Sequence, residues 1–122
     1  MDAAIEQALR TDRTIDITTT GRKSGQARRI ELWFHRAGDR FYLGGSPGRR
    51  GWHANLLANP EFTFHLKEST TADLAAIATP IADPATRLAV LREIPWVQEN
   101  LDAEALADWV AGSPLVEVHF SR

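Results

Sequence analysis

The stretch TIDITTTGRKSGQARRIELWFHR, Thr14–Arg36, predicts two strands joined by a turn. Residues 14–20 are rich in β-branched side chains, which suit a pleated strand. Gly21 and Gly25 bound the turn, because glycine adopts backbone conformations that other residues avoid. After the turn, every second residue is apolar and is expected to face a core: Ile30, Leu32 and Phe34. The stretch therefore predicts an antiparallel hairpin that begins an antiparallel sheet.

The rest of the chain adds strands and helices in an order that favours a barrel. Strands are predicted at 14–20, 29–36, 40–43, 61–67, 72–82 and 115–120, and helices at 2–10, 51–58, from 83 or 84 onward, and at 103–110. The third helix is predicted to be the longest, to end or kink at Pro95, and to bury one face: Ala85, Leu88, Leu91 and Trp96. Tight turns between consecutive strands favour antiparallel pairing over βαβ units. We therefore predict an α+β, mainly β fold over residues 1–122, a single small, partly open barrel of about six antiparallel strands with helices packed outside.

Composition excludes several classes of site. The chain has 122 residues, enough for one domain with its own core. It has no cysteine, which excludes disulfides and thiolate metal sites. No apolar run approaches the roughly 18 residues that a membrane-spanning helix needs. Residues 1–6 lack the basic start and the apolar middle of a signal peptide, so we expect a cytoplasmic protein with no transmembrane segment.

The charge of the chain is unevenly distributed. Residues 1–67 carry 11 Lys and Arg against 7 Asp and Glu, whereas residues 68–122 carry 3 against 9. The basic half is expected to attract anionic ligands. A dedicated nucleic-acid binder is not expected, because the second half is acidic and the sequence pI is about 6.1.

The turn between the first two strands carries the clearest chemical signal. Arg22 and Lys23 supply positive charge, Ser24 supplies a hydroxyl, and Arg28 follows the turn. Backbone N–H groups of a glycine-bounded turn can also face an anion. One interpretation is a cradle for phosphate or carboxylate groups of a small ligand, and the other is a hairpin turn whose charges face water. The residue order is not that of a Walker phosphate loop.

Two further features bear on the site. The run Gly44-Gly45-Ser46-Pro47-Gly48 breaks the third strand, and its adjacent glycines indicate that something approaches the backbone closely. The four histidines lie on separate predicted elements without the spacing of metal ligands, so no metal site is predicted. No Ser-His-Asp arrangement is inferred from the sequence.

Several motifs occur in the order that one known family shows. They are TTTGRKSGQ from residue 18, the hairpin after it, Gly-Gly-Ser at 44–46, and WHANLLANP at 52–60. With these motifs the chain resembles the deazaflavin-dependent nitroreductases, also called the F-420H2-dependent quinone reductase family, of actinobacteria and some other prokaryotes. The resemblance is firm from about residue 14 to 67 and weak beyond it.

The resemblance implies a split β-barrel of the flavin-reductase kind, with the deazaflavin coenzyme F-420 in a groove on the barrel. Its phosphate and glutamyl carboxylates would be held by the turn and the strand after it: Arg22, Lys23, Ser24 and Arg28. The deazaflavin ring would lie along Gly44 and Ser46. Trp52 and Asn55 would border the coenzyme from the short helix.

The resemblance also implies a reaction, in which a hydride passes from the coenzyme to an electron-poor acceptor such as a quinone or a nitroaromatic. The best-known members use C-terminal tyrosines around the substrate, whereas this chain has one tyrosine, Tyr42, in the hairpin. Ser46 is the remaining candidate for a catalytic hydroxyl. The alternatives are an FMN-binding reductase of the same fold and a deazaflavin-binding protein without catalysis. Coenzyme and acceptor are the expected partners, and a homodimer is left open.

Overall fold

This computed structural model describes residues 2–121, which contain six strands and five helices. In chain order they are α1 (Ala3–Thr11), β1 (Thr14–Thr20), β2 (Ala27–Ala37), β3 (Arg40–Gly44), α2 (Gly51–Ala58), β4 (Glu61–Leu66), β5 (Ala72–Pro80), α3 (Pro84–Glu93), α4 (Pro95–Asn100), α5 (Ala103–Gly112) and β6 (Leu115–Phe120). The bounds of β1, α2 and β6 agree with the prediction, whereas β2 starts two residues earlier than predicted and β5 ends two residues earlier.

The strands form a closed antiparallel barrel in the order β1-β2-β3-β6-β5-β4. β1 lies between β2 and β4, with Ile15 opposite Leu32 on one side and opposite Leu66 on the other. The ring closes where β3 pairs with β6, with Leu43 opposite Val116. The predicted barrel of six antiparallel strands is therefore confirmed, but the prediction that it is partly open was wrong, because β1–β4 and β3–β6 pairing closes the ring.

The interior of the barrel is apolar because every second residue of each strand points inward. Ile15, Ile17 and Phe64 have no exposed surface. The ring of Phe64 packs edge-on against Phe34 at 5.3 Å and against Phe120 at 5.0 Å. These ring contacts join β2, β4 and β6, and Ile15 and Ile17 of β1 belong to the same core.

A second apolar cluster lies between the barrel and the C-terminal helices. Tyr42 and Leu115 supply the barrel side of this cluster, and Leu91, Ile94 and Val97 supply the helical side. Tyr42 points outward because its neighbours on β3 point into the barrel. The helices α3, α4 and α5 are therefore packed outside the barrel, as predicted.

The predicted buried face of α3 is partly wrong. Leu91 is buried and Leu88 is half-buried, but Ala85 is exposed and Arg87 is buried in its place. Asp83 begins the helix by accepting a hydrogen bond from the Thr86 N–H at 2.9 Å.

The end of α3 follows the prediction. The helix stops at Glu93, before Pro95, and α4 begins at that proline, which also suits a first helical position. Both α3 and α5 have ten residues, so α3 is not longer than α5. No helix within residues 2–121 is long and apolar enough to cross a bilayer.

Candidate functional site

A cavity of about 400 Å³ opens between the β1–β2 turn and α2. It brings together six of the eight predicted site residues: Arg22, Lys23, Ser24, Arg28, Trp52 and Asn55. Thr19, Gly21, Ile30 and Gly51 complete the lining. The turn motif and the helix motif are separated by about thirty residues in the chain, and the barrel brings them together around one space.

The turn keeps its shape through its own backbone. The Gly21 N–H donates to the Gln26 carbonyl at 2.8 Å, and the Gly25 N–H donates to the Gly21 carbonyl at 2.9 Å. Gly25 has a positive φ of 70°, and a Cβ on Gly21 would lie 2.6 Å from the Ser24 hydroxyl. Both glycines are therefore needed for a tight turn that exposes its cations.

Asn55 fastens this turn to α2. Its side-chain oxygen accepts hydrogen bonds from the Arg22 backbone N–H at 3.1 Å and from Arg22 Nη1 at 3.0 Å. Its amide nitrogen donates to the Thr19 hydroxyl at 3.2 Å. Asn55 is only 6% exposed, so this amide orients Arg22 from a nearly dry position.

Two of the cations that line the cavity are not paired with other groups of the protein. Lys23 and Arg28 are exposed, and neither side chain makes a hydrogen bond or an ion pair within residues 2–121. The next residue, Arg29, points to the outer face of the barrel and pairs with Asp16 at 3.0 Å. Alternation along β2 therefore sends Arg28 to the cavity and Arg29 away from it.

The cavity also has an apolar part of its lining. Trp52 is half-buried and packs against the barrel core with part of its surface. Ile30 was predicted to face the core, yet it is 37% exposed because the barrel end opens into the cavity at this point. The cavity thus combines a cationic side with an indole and an aliphatic side chain, which suits a flat ring attached to an anionic tail.

Gly44 and Ser46 lie outside this cavity. A Cβ on Gly44 would be 3.3 Å from the Pro114 carbonyl oxygen, so the close approach that the glycines predicted comes from the chain's own segment before β6. Ser46 is exposed, and its hydroxyl oxygen accepts a hydrogen bond from Arg50 Nη2 at 3.1 Å. The structure does not bring these two residues together with the other six.

The basic surface continues past the cavity along α2. A neighbouring hollow of about 430 Å³ shares Arg22 and Gly51 with it and is also lined by Arg49 and Arg50. Arg50 is held by the carbonyl and the hydroxyl of Ser46. A ligand with several anionic groups could therefore extend from the first cavity over these arginines.

Two polar arrangements have no signal in the sequence. On the outer face of the barrel, the Thr18 hydroxyl lies 2.7 Å from His65 Nε2, and His65 Nδ1 lies 2.7 Å from Asp73. The hydrogen bond with His65 lowers the pKa of the Asp73 carboxyl. The other arrangement surrounds the buried guanidinium of Arg87, which binds backbone carbonyls from residues 6 to 26 positions away. Both depend on contacts between distant segments, which only the strand pairing and helix packing reveal.

Comparison with known proteins identifies a family for most of the chain. Residues 2–104 match the family model described as F-420H(2)-dependent quinone reductase.

Solved structures of low identity share the fold. One is an F-420 reductase with 16% identity, a TM-score of 0.70, and coverage of 100% of this chain and 96% of that one. Another is an F-420-H2-dependent reductase, FDR-A, with 19% identity, a TM-score of 0.60, and coverage of 88% and 95%. A FAD-binding protein from Mesorhizobium loti has 14% identity, a TM-score of 0.66, and coverage of 97% and 86%. These likenesses establish a split β-barrel of the flavin-reductase kind.

Proposed function

The chain belongs to the F-420H2-dependent quinone reductase family, and from this premise we propose that it binds F-420 in the cavity beside the β1–β2 turn. The proposed reaction is hydride transfer from the reduced coenzyme to an electron-poor small molecule, such as a quinone or a nitroaromatic. The chain is accordingly an oxidoreductase of that family, and the chemical class of its hydride acceptor is part of the proposal.

One observation carries the assignment of the coenzyme site. Lys23 and Arg28 line the cavity without protein partners among residues 2–121, and the indole of Trp52 lines the same cavity. F-420 has the complementary chemistry, since a flat ring is joined through a phosphate to glutamyl carboxylates. The residues present therefore fit the coenzyme at both ends.

The protein's part in the reaction is binding and orientation. Bound F-420H2 supplies the hydride chemistry itself. Lys23 and Arg28 would hold the phosphate, Arg22 is aimed by Asn55 toward the same anion, and Trp52 would cover the ring from water. Ser46 remains a proposed hydroxyl donor only for a ligand that extends beyond the cavity, because it lies outside the cavity lining.

The coenzyme site is tested by removing its unpaired cations. Lys23→Ala with Arg28→Ala is expected to weaken F-420 binding by at least about tenfold, because each charge-assisted contact is worth roughly 1.5–3 kcal/mol. Arg29→Ala is the matched control, because that arginine follows Arg28 in the chain but pairs with Asp16 on the outer face. Tryptophan fluorescence gives the affinity, and unchanged binding in the double variant would contradict the proposal.

A second candidate is a deazaflavin-binding protein without catalysis. The only tyrosine, Tyr42, is 1% exposed and lies beneath the C-terminal helices, and burial raises the pKa of its hydroxyl. It therefore cannot take the role of the tyrosines around the substrate that the family resemblance implies. Binding of F-420H2 without oxidation by a panel of quinones and nitroaromatics would favour this candidate, whereas turnover would exclude it.

A further inference from the structure

A second groove lies on the opposite side of α2 from the coenzyme cavity. It has a volume of about 550 Å³ and runs between α2, the start of α3 and the end of α5. Of its lining side chains only His53, Arg87 and Ser113 are polar. Trp52 and Asn55 line the first cavity, whereas His53 and Leu57 line the groove and also the hollow of Arg49 and Arg50 beside it. No residue lines both the first cavity and the groove.

Arg87 brings a buried positive charge to this groove. Arg87 is 8% exposed, and its guanidinium donates five hydrogen bonds, all to uncharged oxygens: Ile81 O, Trp109 O, Val110 O, Ser113 O and Ser113 Oγ. No carboxylate lies within ion-pair distance of it among residues 2–121, and burial is the cause that lowers its pKa. The charge of this guanidinium is therefore solvated by carbonyl dipoles but not neutralised.

The guanidinium also retains donor capacity. An arginine has five N–H groups, two of them on Nη1. Nη1 of Arg87 donates once, to the Ile81 carbonyl at 2.8 Å. Nη2 shares its two hydrogens among three oxygens, so one Nη1 hydrogen has no acceptor among residues 2–121. Arg87 lines the groove, and a ligand there could accept this hydrogen.

His53 adds a second polar group without adding charge. Its ring lies at the groove, and burial, together with the charge of Arg87, lowers the pKa of its imidazole. The imidazole is therefore neutral near pH 7, and Arg87 supplies the positive charge of the groove.

We propose that this groove is a separate binding site for an apolar molecule with a single anionic group, of the class of aromatic carboxylates and sulfonates. The anionic group binds at Arg87, and the apolar body packs against Leu57, Val110 and Ala111. Such a ligand neutralises a buried charge that the chain leaves uncompensated. A polyanion such as a phosphate ester is disfavoured, because the remaining wall would desolvate its other charges. The proposal is independent of the coenzyme assignment.

The probe is 1-anilinonaphthalene-8-sulfonate, an aromatic sulfonate, compared with its uncharged analogue N-phenyl-1-naphthylamine. Fluorescence titration of the whole chain is expected to show saturable binding of one sulfonate per chain, at least about tenfold tighter than the neutral analogue. Equal affinity for the two probes would overturn the role of the Arg87 charge.

Groove-filling variants locate the probe without disturbing Arg87. Ala111 is exposed and lines the groove, so Ala111→Trp is expected to weaken sulfonate binding by at least about tenfold. The matched control is Ala89→Trp, an exposed alanine on α3 outside the groove lining, which should bind as the parent does. Unchanged binding in Ala111→Trp would place the probe elsewhere and overturn the proposal.

The two sites are distinguished by crossed titrations. Ala111→Trp should leave F-420 affinity unchanged, and the Lys23→Ala, Arg28→Ala variant should leave sulfonate affinity unchanged. Loss of sulfonate binding in that double variant would assign the probe to the coenzyme cavity and contradict a separate site. Arg87→Met, if folded by circular dichroism, should remove the preference for the sulfonate over the neutral analogue.

Discussion

A single amide determines how the basic turn is presented. Asn55 makes three hydrogen bonds from a position that is 6% exposed, and two of them are to Arg22. Trp52 and Asn55, which the sequence predicted to border the coenzyme, therefore have different roles. Trp52 lines the ligand space, and Asn55 orients the side chain of Arg22, which lines the same cavity.

Replacing this amide should affect stability and binding together. Asn55→Ala leaves the part-buried Arg22 N–H and the buried Thr19 hydroxyl without their partner, which costs about 1–3 kcal/mol of unfolding free energy. F-420 affinity should fall as well, because Arg22 is no longer held toward the cavity. Urea unfolding and tryptophan fluorescence measure the two effects.

Asn55→Asp separates the two roles of this residue. The carboxylate keeps both acceptor contacts with Arg22 but neutralises its charge. The variant should therefore retain the turn while binding the anionic coenzyme more weakly than the parent. Parental affinity in Asn55→Asp would show that Arg22 does not contact the anion.

At the scale of elements, helix α3 is held at its start by Asp83. The Asp83 carboxylate accepts from the Thr86 N–H and from the Thr86 hydroxyl, both at 2.9 Å. These hydrogen bonds, the backbone one first, lower the pKa of Asp83 below the 3.8 of an unfolded chain. The stabilisation of the fold by this carboxylate is therefore present above pH 3.8, and it is lost as the pH falls through the lower pKa of folded Asp83.

This cap predicts a difference in acid sensitivity between variants. Asp83→Asn keeps a good N-cap but cannot titrate. Its thermal midpoint should therefore fall less than that of the parent as the pH falls from 3.8 through the lower pKa of folded Asp83. Asp83→Ala should be less stable than both at pH 7. A parent and an Asp83→Asn variant with the same acid dependence would show that this carboxylate is not linked to folding.

The elements that the sequence predicted best are those with strong local signals. The β-branched run predicts the bounds of β1, and the Asn-Pro pair predicts the end of α2. Both predictions agree with the structure. The predicted buried face of α3 was partly wrong because Arg87 is buried by carbonyls from the segment before the helix and from α5 and its end. Hydrophobic periodicity cannot anticipate a buried cation whose partners are distant backbone oxygens.

At the scale of the whole molecule, an aromatic core joins the two sides of the barrel. Phe64→Ala removes a fully buried ring that contacts Phe34 and Phe120, and it should lower the unfolding free energy by about 3–5 kcal/mol. Leu57→Ala is the control, since that side chain is 55% exposed and its loss should change stability by less than about 0.5 kcal/mol. Similar denaturation midpoints for the two variants would contradict this description of the core.

The charge asymmetry of the sequence has a structural counterpart. The basic half builds the cavity and the hollow along α2, and the acidic half supplies the helices that cover β3 and β6. The sequence therefore predicted six residues of one cavity. The location of Gly44 and Ser46 outside that cavity could be found only once the strand order was known, because β6 passes beside Gly44. The sequence leaves a homodimer open, and light scattering can determine the oligomeric state.

The most direct test of the coenzyme site is a parallel titration of the purified chain with F-420 and with FMN, followed by tryptophan fluorescence. One of the four tryptophans, Trp52, lines the cavity, so a bound ring should quench it. We expect saturable F-420 binding with a Kd on the order of micromolar and at least about tenfold weaker binding of FMN, which lacks the glutamyl carboxylates. Binding of neither compound, or a preference for FMN, would contradict the assignment of this cavity to F-420.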